Sequence, residues 1–362
     1  MSPIESFKLF SQFPLDIQRL VFEEAFEASH RKATDIALVS KAVKSWYMFT
    51  PFYSSIGFNY PFRIEPLMYQ CITLNRHTYT ESERRRFQLF ATTFKERLKP
   101  GDFYTKYVRK VFIDDLQKWD LAEEFLPLCS NMESLACWAN PDTANQITLH
   151  SLLSPEAPYL ACLRRLSIYW ECLPLDYRSF YHPIFKNLTH LDIDFSPEIS
   201  WASLSSLQYL TYFNLDCIAT CLNDQSVQEI ATNLEDIIHL VTPHLPINLL
   251  CFVILIPSTI IGHVVTDEAD RGCTAQQIIH DIGTGEYDAR IVLGSSPGIP
   301  ESLCGDKEQQ RIFMRQVLPV PYDLSAWTYL PRGHTEPWTH AEDIIMDRKR
   351  ASRSNPQEKG RK

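Results

Sequence analysis

The seven residues Leu188-Thr189-His190-Leu191-Asp192-Ile193-Asp194 decide the fold. Leu188 stands alone. From Leu191 onward apolar and polar residues alternate, so Leu191 and Ile193 point to one side of a strand and His190, Asp192 and Asp194 to the other. The same apolar-x-x-apolar-x-apolar triplet recurs as Val108/Val111/Ile113, Met132/Leu135/Cys137, Leu163/Leu166/Ile168, Leu210/Phe213/Leu215 and Leu249/Phe252/Ile254, with a reduced copy at Ile291 and Leu293. The middle positions lie 24, 31, 25, 22, 39 and 39 residues apart. Short strands at such intervals, each followed by a turn or short helix, predict stacked repeats sharing one parallel sheet. The two long intervals hold SVQEIATNLEDIIHLV and TAQQIIHDI, both helical in period, and helices are expected there on the convex side. An ordinary α/β sheet with unequal crossovers stays open as the alternative.

Outward from this region the chain divides further. Residues 8–55 form a small helical unit. Pro14 opens a helix with Ile17, Leu20, Val21 and Ala25 on one face. Thr34 caps a second, with Ile36, Val39, Val43 and Trp46 on one face, and Pro51 ends it. Two short helices bury little on their own, so the unit calls for a partner or a neighbouring domain. Residues 56–105 read as a connector with one helix, ESERRRFQLFATTFKERL, whose Phe87, Phe90, Ala91 and Phe94 share a face. The repeat region is assigned to 106–295 and a helical cap to 296–350, with helices over DKEQQRIFMRQVL and HAEDIIMDRKRA. RKRASRSNPQEKGRK carries seven basic residues and one acidic, so the tail, 351–362 in particular, is expected to be a basic disordered segment, either solubilising or a nuclear-import patch. The fold class expected is therefore α+β or α/β: helices first, then an irregular solenoid.

Composition closes several functional classes. The 362 residues are 45% hydrophobic and 22% charged, as folded chains are, and 35 basic against 44 acidic residues give a net charge of −9, which argues against a broad nucleic-acid surface. Of only 11 glycines, Gly57 and Gly101 alone precede Gly262, which leaves no room for a glycine-rich phosphate loop in the first two thirds. The 23 prolines interrupt the chain too often for long helices. Ten cysteines without a CxxC, mostly in apolar settings, read as buried free thiols of a reducing compartment. No signal peptide is read in MSPIESFKLF, so the sequon at Asn187 is taken as chance. The longest apolar run, Leu249–Ile256, is far short of a membrane span and reads as a buried strand. These points together predict a cytoplasmic or nuclear protein with no membrane partner.

Local chemistry fails at each place where it is suggested. Gly294-Ser295-Ser296-Pro297-Gly298 has the form G-x-S-x-G, but the residue after the serine, whose N–H would complete an oxyanion hole, is Pro297, and GIPES follows where a helix should start. It reads as a loop. Gly283-Thr284-Gly285 lacks the third glycine and a preceding strand. His239 and His244 are separated by Pro243, and Cys217 and Cys221 lack paired histidines, so neither couple suggests a metal. His190, Asp192 and Asp194 share a strand face and are expected to be a solvated polar surface rather than a metal site. No catalytic residue, metal or cofactor is expected.

The first unit resembles an F-box. Phe13-Pro14-Leu15-Asp16-Ile17 stands where that family has leucine-proline-x-acid-isoleucine; Leu20-Val21-Phe22, then Leu38-Val39-Ser40-Lys41, Val43, Trp46, Pro51 and Tyr53 follow in the family's order. The match covers about 45 residues. An F-box ahead of irregular leucine-rich repeats, with a closing Trp338-Thr339-His340-Ala341-Glu342-Asp343 helix, looks like the large F-box families of mushroom-forming fungi. The resemblance implies a substrate receptor of an SCF-type cullin–RING ubiquitin ligase. Pro14, Leu15, Ile17, Leu20, Val21, Leu38, Val39, Val43 and Trp46 would dock the Skp-type adaptor that leads to the cullin, and the repeat domain would hold a protein substrate.

In a leucine-rich-repeat stack the outward positions are Phe112 and Asp114, Ala136 and Trp138, Ser167 and Tyr169, His190, Asp192 and Asp194, and Tyr212, Asn214 and Asp216. Brought onto one concave sheet, Trp138, Tyr169 and Tyr212 would be aromatic anchors. His190 and Asn214 would lie between them, and Asp192, Asp194 and Asp216 would form an acidic flank for a basic segment. A covering by the chain's own C-terminal segment stays open for this face. So do two rival classes for the whole chain: a repeat scaffold not assembled into an active ligase, and an enzyme.

Overall fold

The computed structural model describes residues 21, 70–74, 88, 90–96, 101–113, 119–138, 157–173, 179–217, 227–258, 274–296, 317–319 and 337–354. The F-box-like unit lies outside them, apart from Val21, which is helical and exposed. Asp114, Pro297 and Gly298, residues 306–316 and the tail beyond Ser354 also fall outside.

Nine strands occur among the described residues: β1 (Cys71–Leu74), β2 (Lys110–Ile113), β3 (Ser134–Cys137), β4 (Arg165–Ile168), β5 (His190–Asp194), β6 (Tyr212–Asp216), β7 (Cys251–Pro257), β8 (Ile291–Ser296) and β9 (Val317–Pro319). They form one sheet in chain order, and every neighbouring pair is parallel. The triplets align without a slip. Ile72, Val111, Leu135, Leu166, Leu191, Phe213, Phe252 and Ile291 form one column across β1 to β8. Leu74, Ile113, Cys137, Ile168, Ile193, Leu215, Ile254 and Leu293 form the next, and all sixteen are buried. A one-residue slip at any pair would turn its inward residues to the opposite face, so the alternation itself pins the register. The leading triplet members Val108, Met132, Leu163, Leu188, Leu210 and Leu249 are buried in the same core. The approach to each strand repeats as well. One carbonyl at each step (Gln70, Arg109, Glu133, Arg164, Thr189 and Thr211) accepts two successive backbone N–H groups where the next strand begins.

The sheet is longer than the region 106–295. β1 precedes it, inside the stretch read as connector, and β9 follows it. Val317 and Leu318, read as the end of a helix, are strand residues paired with β8. Gly294, Ser295 and Ser296, read as loop, belong to β8, and Ser295 is fully buried. Two β-branched residues and a leucine start that strand, and neighbours on both sides carry the small residues into the ladder.

Interval length sets what fills each crossover. Between β3 and β6 the described parts of the short intervals hold 3-10 turns, Pro158–Ala161, Trp170–Cys172, Pro183–Phe185 and Trp201–Ser206, and proline starts two of them, where its missing N–H costs nothing. α1 (Phe103–Tyr107) and α2 (Trp119–Phe125) flank β2. The long intervals hold α3 (Val227–Val241) and α4 (Thr274–Thr284). Ile230, Leu234, Ile237, Ile238 and Val241 of α3 and Ile278, Ile279 and Ile282 of α4 pack on the inward face of the sheet, on the side expected. The connector helix is seen over residues 90–95. Its Phe90 and Phe94 close an aromatic cluster with Tyr104 and Phe125 at ring separations of 5.0–6.5 Å. The burial expected of the cysteines is seen for Cys71, Cys129, Cys137, Cys172, Cys217 and Cys251, while Cys162 is half-buried.

The last helix, α5 (Pro337–Ser354), corrects the view of a basic tail. The first seven residues of RKRASRSNPQEKGRK, Arg348 to Ser354, are helical. Arg348 is docked: its guanidinium donates to the carbonyl oxygens of Gly283 and Ile291. Gly283-Thr284-Gly285 thus ends a helix. Gly285 sits at φ 80°, its N–H bonds to Ile282 O, and the N–H of Glu286 bonds to Asp281 O, a Schellman cap that leaves other carbonyls of the turn for Arg348. A Cβ on Gly285 would lie 2.8 Å from Arg348 Nη1 and 3.3 Å from Ala289 Cα. Gly285→Ala is therefore expected to destabilise the fold by about 1–2 kcal/mol from the left-handed backbone alone, read as a lowered denaturant midpoint at unchanged slope.

Candidate functional site

The outward side of the sheet is where sequence reasoning places a partner, and its strands set a different row there. Between the two inward columns the outward residues run Phe112, Ala136, Ser167, Asp192, Asn214, Val253 and Val292 across β2 to β8. The row is apolar at both ends and polar in the middle. The expectation that the middle is solvated is corrected: Ser167 is fully buried, and Asp192 and His190 are 5% and 8% exposed. Trp138 is buried too, so of the three aromatic anchors only Tyr169 and Tyr212 keep partial exposure. Asp194, Asn214 and Asp216 are half-buried.

Burial of this row is made tolerable by a hydrogen-bonded chain running across the strands. Trp138 Nε1–H donates to Ser167 Oγ at 2.7 Å, Ser167 donates to Asp192 Oδ2 at 2.7 Å, and Asn214 Nδ2 donates to Asp192 Oδ1 at 2.6 Å. Four adjacent repeats are tied through one carboxyl group. Each lateral bond also fixes which strand sits beside which, beyond what the apolar columns specify. Asn214 Oδ1 is buried without a partner. Asp194 accepts the backbone N–H of Trp170, holding the turn after β4. Trp138 and Tyr169 meet edge to face at 4.5 Å and, with Phe112 and Ala136, make a small apolar cluster on this side.

The electrostatics follow from burial. Desolvation pushes Asp192 up to about 7 against the pull of its Ser167 and Asn214 bonds, with Asp216 adding repulsion. Asp194 is pushed up to about 6 for the same first reason. Desolvation, with the Arg165 charge, lowers His190 to about 3, so its ring is neutral over the physiological range. At neutral pH Asp192 is thus about half ionised and Asp194 still mostly ionised, so burial trims the negative charge of this face without removing it.

From β6 to β9 the outward face is covered by α5. Ala341, Ile344 and Ile345 bury themselves against Cys251, Val253, Val292 and Leu318, with Tyr212 and Trp338 at the margin. Trp338 lies 5.3 Å from the Tyr212 ring and 5.8 Å from His190, which stacks on Tyr212 at 4.5 Å. The Tyr212 hydroxyl donates to Glu342. Covering by the C-terminal segment, left open by the sequence, is what this half of the sheet shows. Trp338, Ala341, Glu342, Ile344, Ile345 and Arg348 are the surface residues that strand-based reasoning missed. A signal for them was present: the unbroken run Leu249–Ile256 has no polar face, and a parallel strand apolar on both faces must be covered on both.

Among the described residues no group of three or more His, Cys, Asp or Glu side chains is placed to hold a metal ion, and no helix is long and apolar enough to cross a membrane. His239 sits on α3 against the Tyr287 ring, away from the outward face. No family model, curated protein or solved structure matches the chain.

Proposed function

We propose that this chain is an F-box protein: the substrate-recognition subunit of an SCF-type cullin–RING ubiquitin ligase, in which residues 8–55 dock the Skp-type adaptor and an irregular leucine-rich-repeat solenoid takes the substrate. The observation that carries the reading is the order of parts. An F-box-like motif with its landmarks in sequence, from Pro14 to Trp46, stands ahead of a parallel sheet whose strands follow one another in chain order, with each triplet on a strand of its own. A stack of that kind offers a partner one long continuous face and leaves ligation chemistry to other subunits.

The adaptor half of the reading is tested by replacing Leu15 and Ile17 together with Ala in the full-length chain. Truncating two aliphatic anchors of a small helical docking unit removes much of its contact energy. Loss of the adaptor from pull-downs, with circular dichroism unchanged, is the expected result. Retention of the adaptor by the double variant would refute it. Capture of adaptor without cullin by the wild-type chain would favour the rival reading, a repeat scaffold outside any ligase.

A further inference from the structure

The rim of the sheet where the strands begin is divided by charge and by polarity. At the entries of β2 to β5 it carries Arg109, Lys110, Arg164, Arg165 and Lys186, all exposed or half-buried. Glu133 is the acid among them, 3.5 Å from Arg109. The stretches that lead into β4, β5, β6 and β7 (Pro158 to Arg165, Pro183 to His190, Ser205 to Tyr212 and Thr242 to Cys251) contain no Asp or Glu, in a chain where acidic residues outnumber basic ones 44 to 35. The acids of β5 and β6 stand at the far ends of those strands, as Asp194 and Asp216. At the entries of β6 and β7 the rim turns apolar. Tyr209, Ile247 and Leu250 are 61%, 93% and 51% exposed, three of the eight large apolar side chains exposed among the described residues. Their turns are held side by side: Asn248 Nδ2 donates to Gln208 O at 2.8 Å, and the Leu250 N–H donates to Thr211 O at 2.8 Å. Folding gives no reason for Ile247. The turn before β7 is held by buried Pro246 and Leu249, with the Leu249 N–H bonded to Pro246 O, and a polar side chain at 247 would serve it as well. An apolar patch that the core does not use marks a surface for another molecule.

We propose that this rim binds an extended segment of a partner protein, with acidic residues over β2 to β5 and two or three apolar side chains over β6 and β7. Charge complementarity selects the acidic half and fixes its direction. Tyr209, Ile247 and Leu250 give the apolar half its contact area. The dimensions agree: five strand steps of about 4.8 Å carry the rim about 24 Å from β2 to β7, which about seven extended residues cover at ~3.3 Å each. A second copy of the chain does not fit, because two-fold pairing of the rims sets the basic half against a basic or an apolar one. A bilayer fits less well than a peptide. The cations lie at one end of a line and the apolar residues at the other, and anionic lipid repels a chain of net charge −9. The inference rests on the receptor reading of the repeat domain and not on the adaptor.

The test selects binders of the full-length wild-type chain from a random twelve-residue peptide library displayed on phage. Selected sequences are expected to cluster Asp or Glu at one end and Phe, Leu, Ile or Trp at the other. The strongest binder, made as a fluorescein-labelled peptide, is expected to lose at least about ten-fold in affinity on Lys110→Glu with Arg164→Glu. It is expected to lose at least about ten-fold on Tyr209→Ser with Ile247→Ser. All four side chains are exposed, so both double variants should keep the wild-type circular dichroism. Where one does not fold, Arg164→Glu alone or Ile247→Ser alone takes its place. A library without acidic enrichment, or a selected peptide that binds either variant as it binds wild type, overturns the proposal. Flotation of the wild-type chain with phosphatidylcholine–phosphatidylserine vesicles, abolished by the same variants, overturns it in favour of a membrane. A concentration-dependent dimer lost on Ile247→Ser overturns it in favour of a second copy. A chain that binds the selected peptide but not the adaptor refutes the ligase reading alone. One that binds the adaptor and selects no such peptide refutes the rim alone.

Discussion

Replacing Phe213 by Ala is expected to cost about 3–5 kcal/mol, a large part of the ~5–15 kcal/mol that holds a typical domain together. Phe213 is fully buried in the inward column of β6. Its ring stacks on Phe252 of β7 at 4.9 Å with 9° between planes and meets Trp201 at 6.3 Å. Trp201 stacks on Phe195 at 5.9 Å and meets Phe180 at 5.8 Å, and Phe180 meets Phe185 at 5.2 Å. This aromatic spine runs from the strands into the 3-10 turns of two short crossovers, so one truncation opens a cavity shared by three repeats. The turns have no long helix with which to collapse into it. Urea unfolding followed by tryptophan fluorescence should show the loss. Tyr209→Ala in the turn before β6, where the ring is 61% exposed, should stay within about 0.5 kcal/mol. Equal effects from the two changes would mean that the spine does not organise the core.

Asp192→Asn is expected to stabilise the protein increasingly as pH rises from about 4 to about 7, measured as the difference from wild type. The folded pKa of Asp192 is raised to about 7, so the folded state holds the proton more firmly than the unfolded chain. Between the unfolded value and 7 the unfolded chain binds fewer protons, and stability falls with rising pH. Asp194, raised to about 6, adds to that fall, while His190, lowered to about 3, gives a rise between about 3 and 6.5. The wild-type profile mixes these opposed contributions, so the variant difference is the quantity to read. Asparagine copies the protonated carboxyl: its oxygen can accept from Ser167, and its amide can donate to the now unpartnered Asn214 Oδ1 once that side chain turns over. The two proteins should be similar near pH 4. Near pH 8 they should differ by a few kcal/mol, because each tenfold change in proton affinity between folded and unfolded chain is worth about 1.4 kcal/mol at most. A difference constant across that range would show that Asp192 titrates normally.

By itself the sequence determined the middle of the sheet, from β2 to β8. Alternation at Leu191/Ile193 and its copies allows one register only, because a slip would put His190, Asp192 or Asn214 into the apolar core. The positions of α3 and α4 were legible for a related reason, since intervals of 39 residues hold a helix and intervals of 22–31 have room for little more than turns. The F-box-like landmarks of residues 8–55 lie outside the described residues apart from Val21. β1 was not legible, because CITL has no leading triplet member and becomes a strand by pairing with β2. β9 was hidden in the same way, three residues made strand by β8. Tertiary structure alone decided the state of the outward face. Alternation says only that His190, Asp192 and Tyr212 leave the inner core; it cannot say what meets them on the other side. Residues more than a hundred positions away meet His190 and Tyr212, and residues of the neighbouring strands meet Asp192. Trp338 packs on Tyr212 and Glu342 takes its hydroxyl, and the same helix turns Gly283-Thr284-Gly285 and Arg348, unremarkable in sequence, into one contact. Local patterns report the backbone a residue adopts, whereas desolvation, and with it the raised pKa of Asp192, depends on which side chains of other strands pack around it in the folded chain.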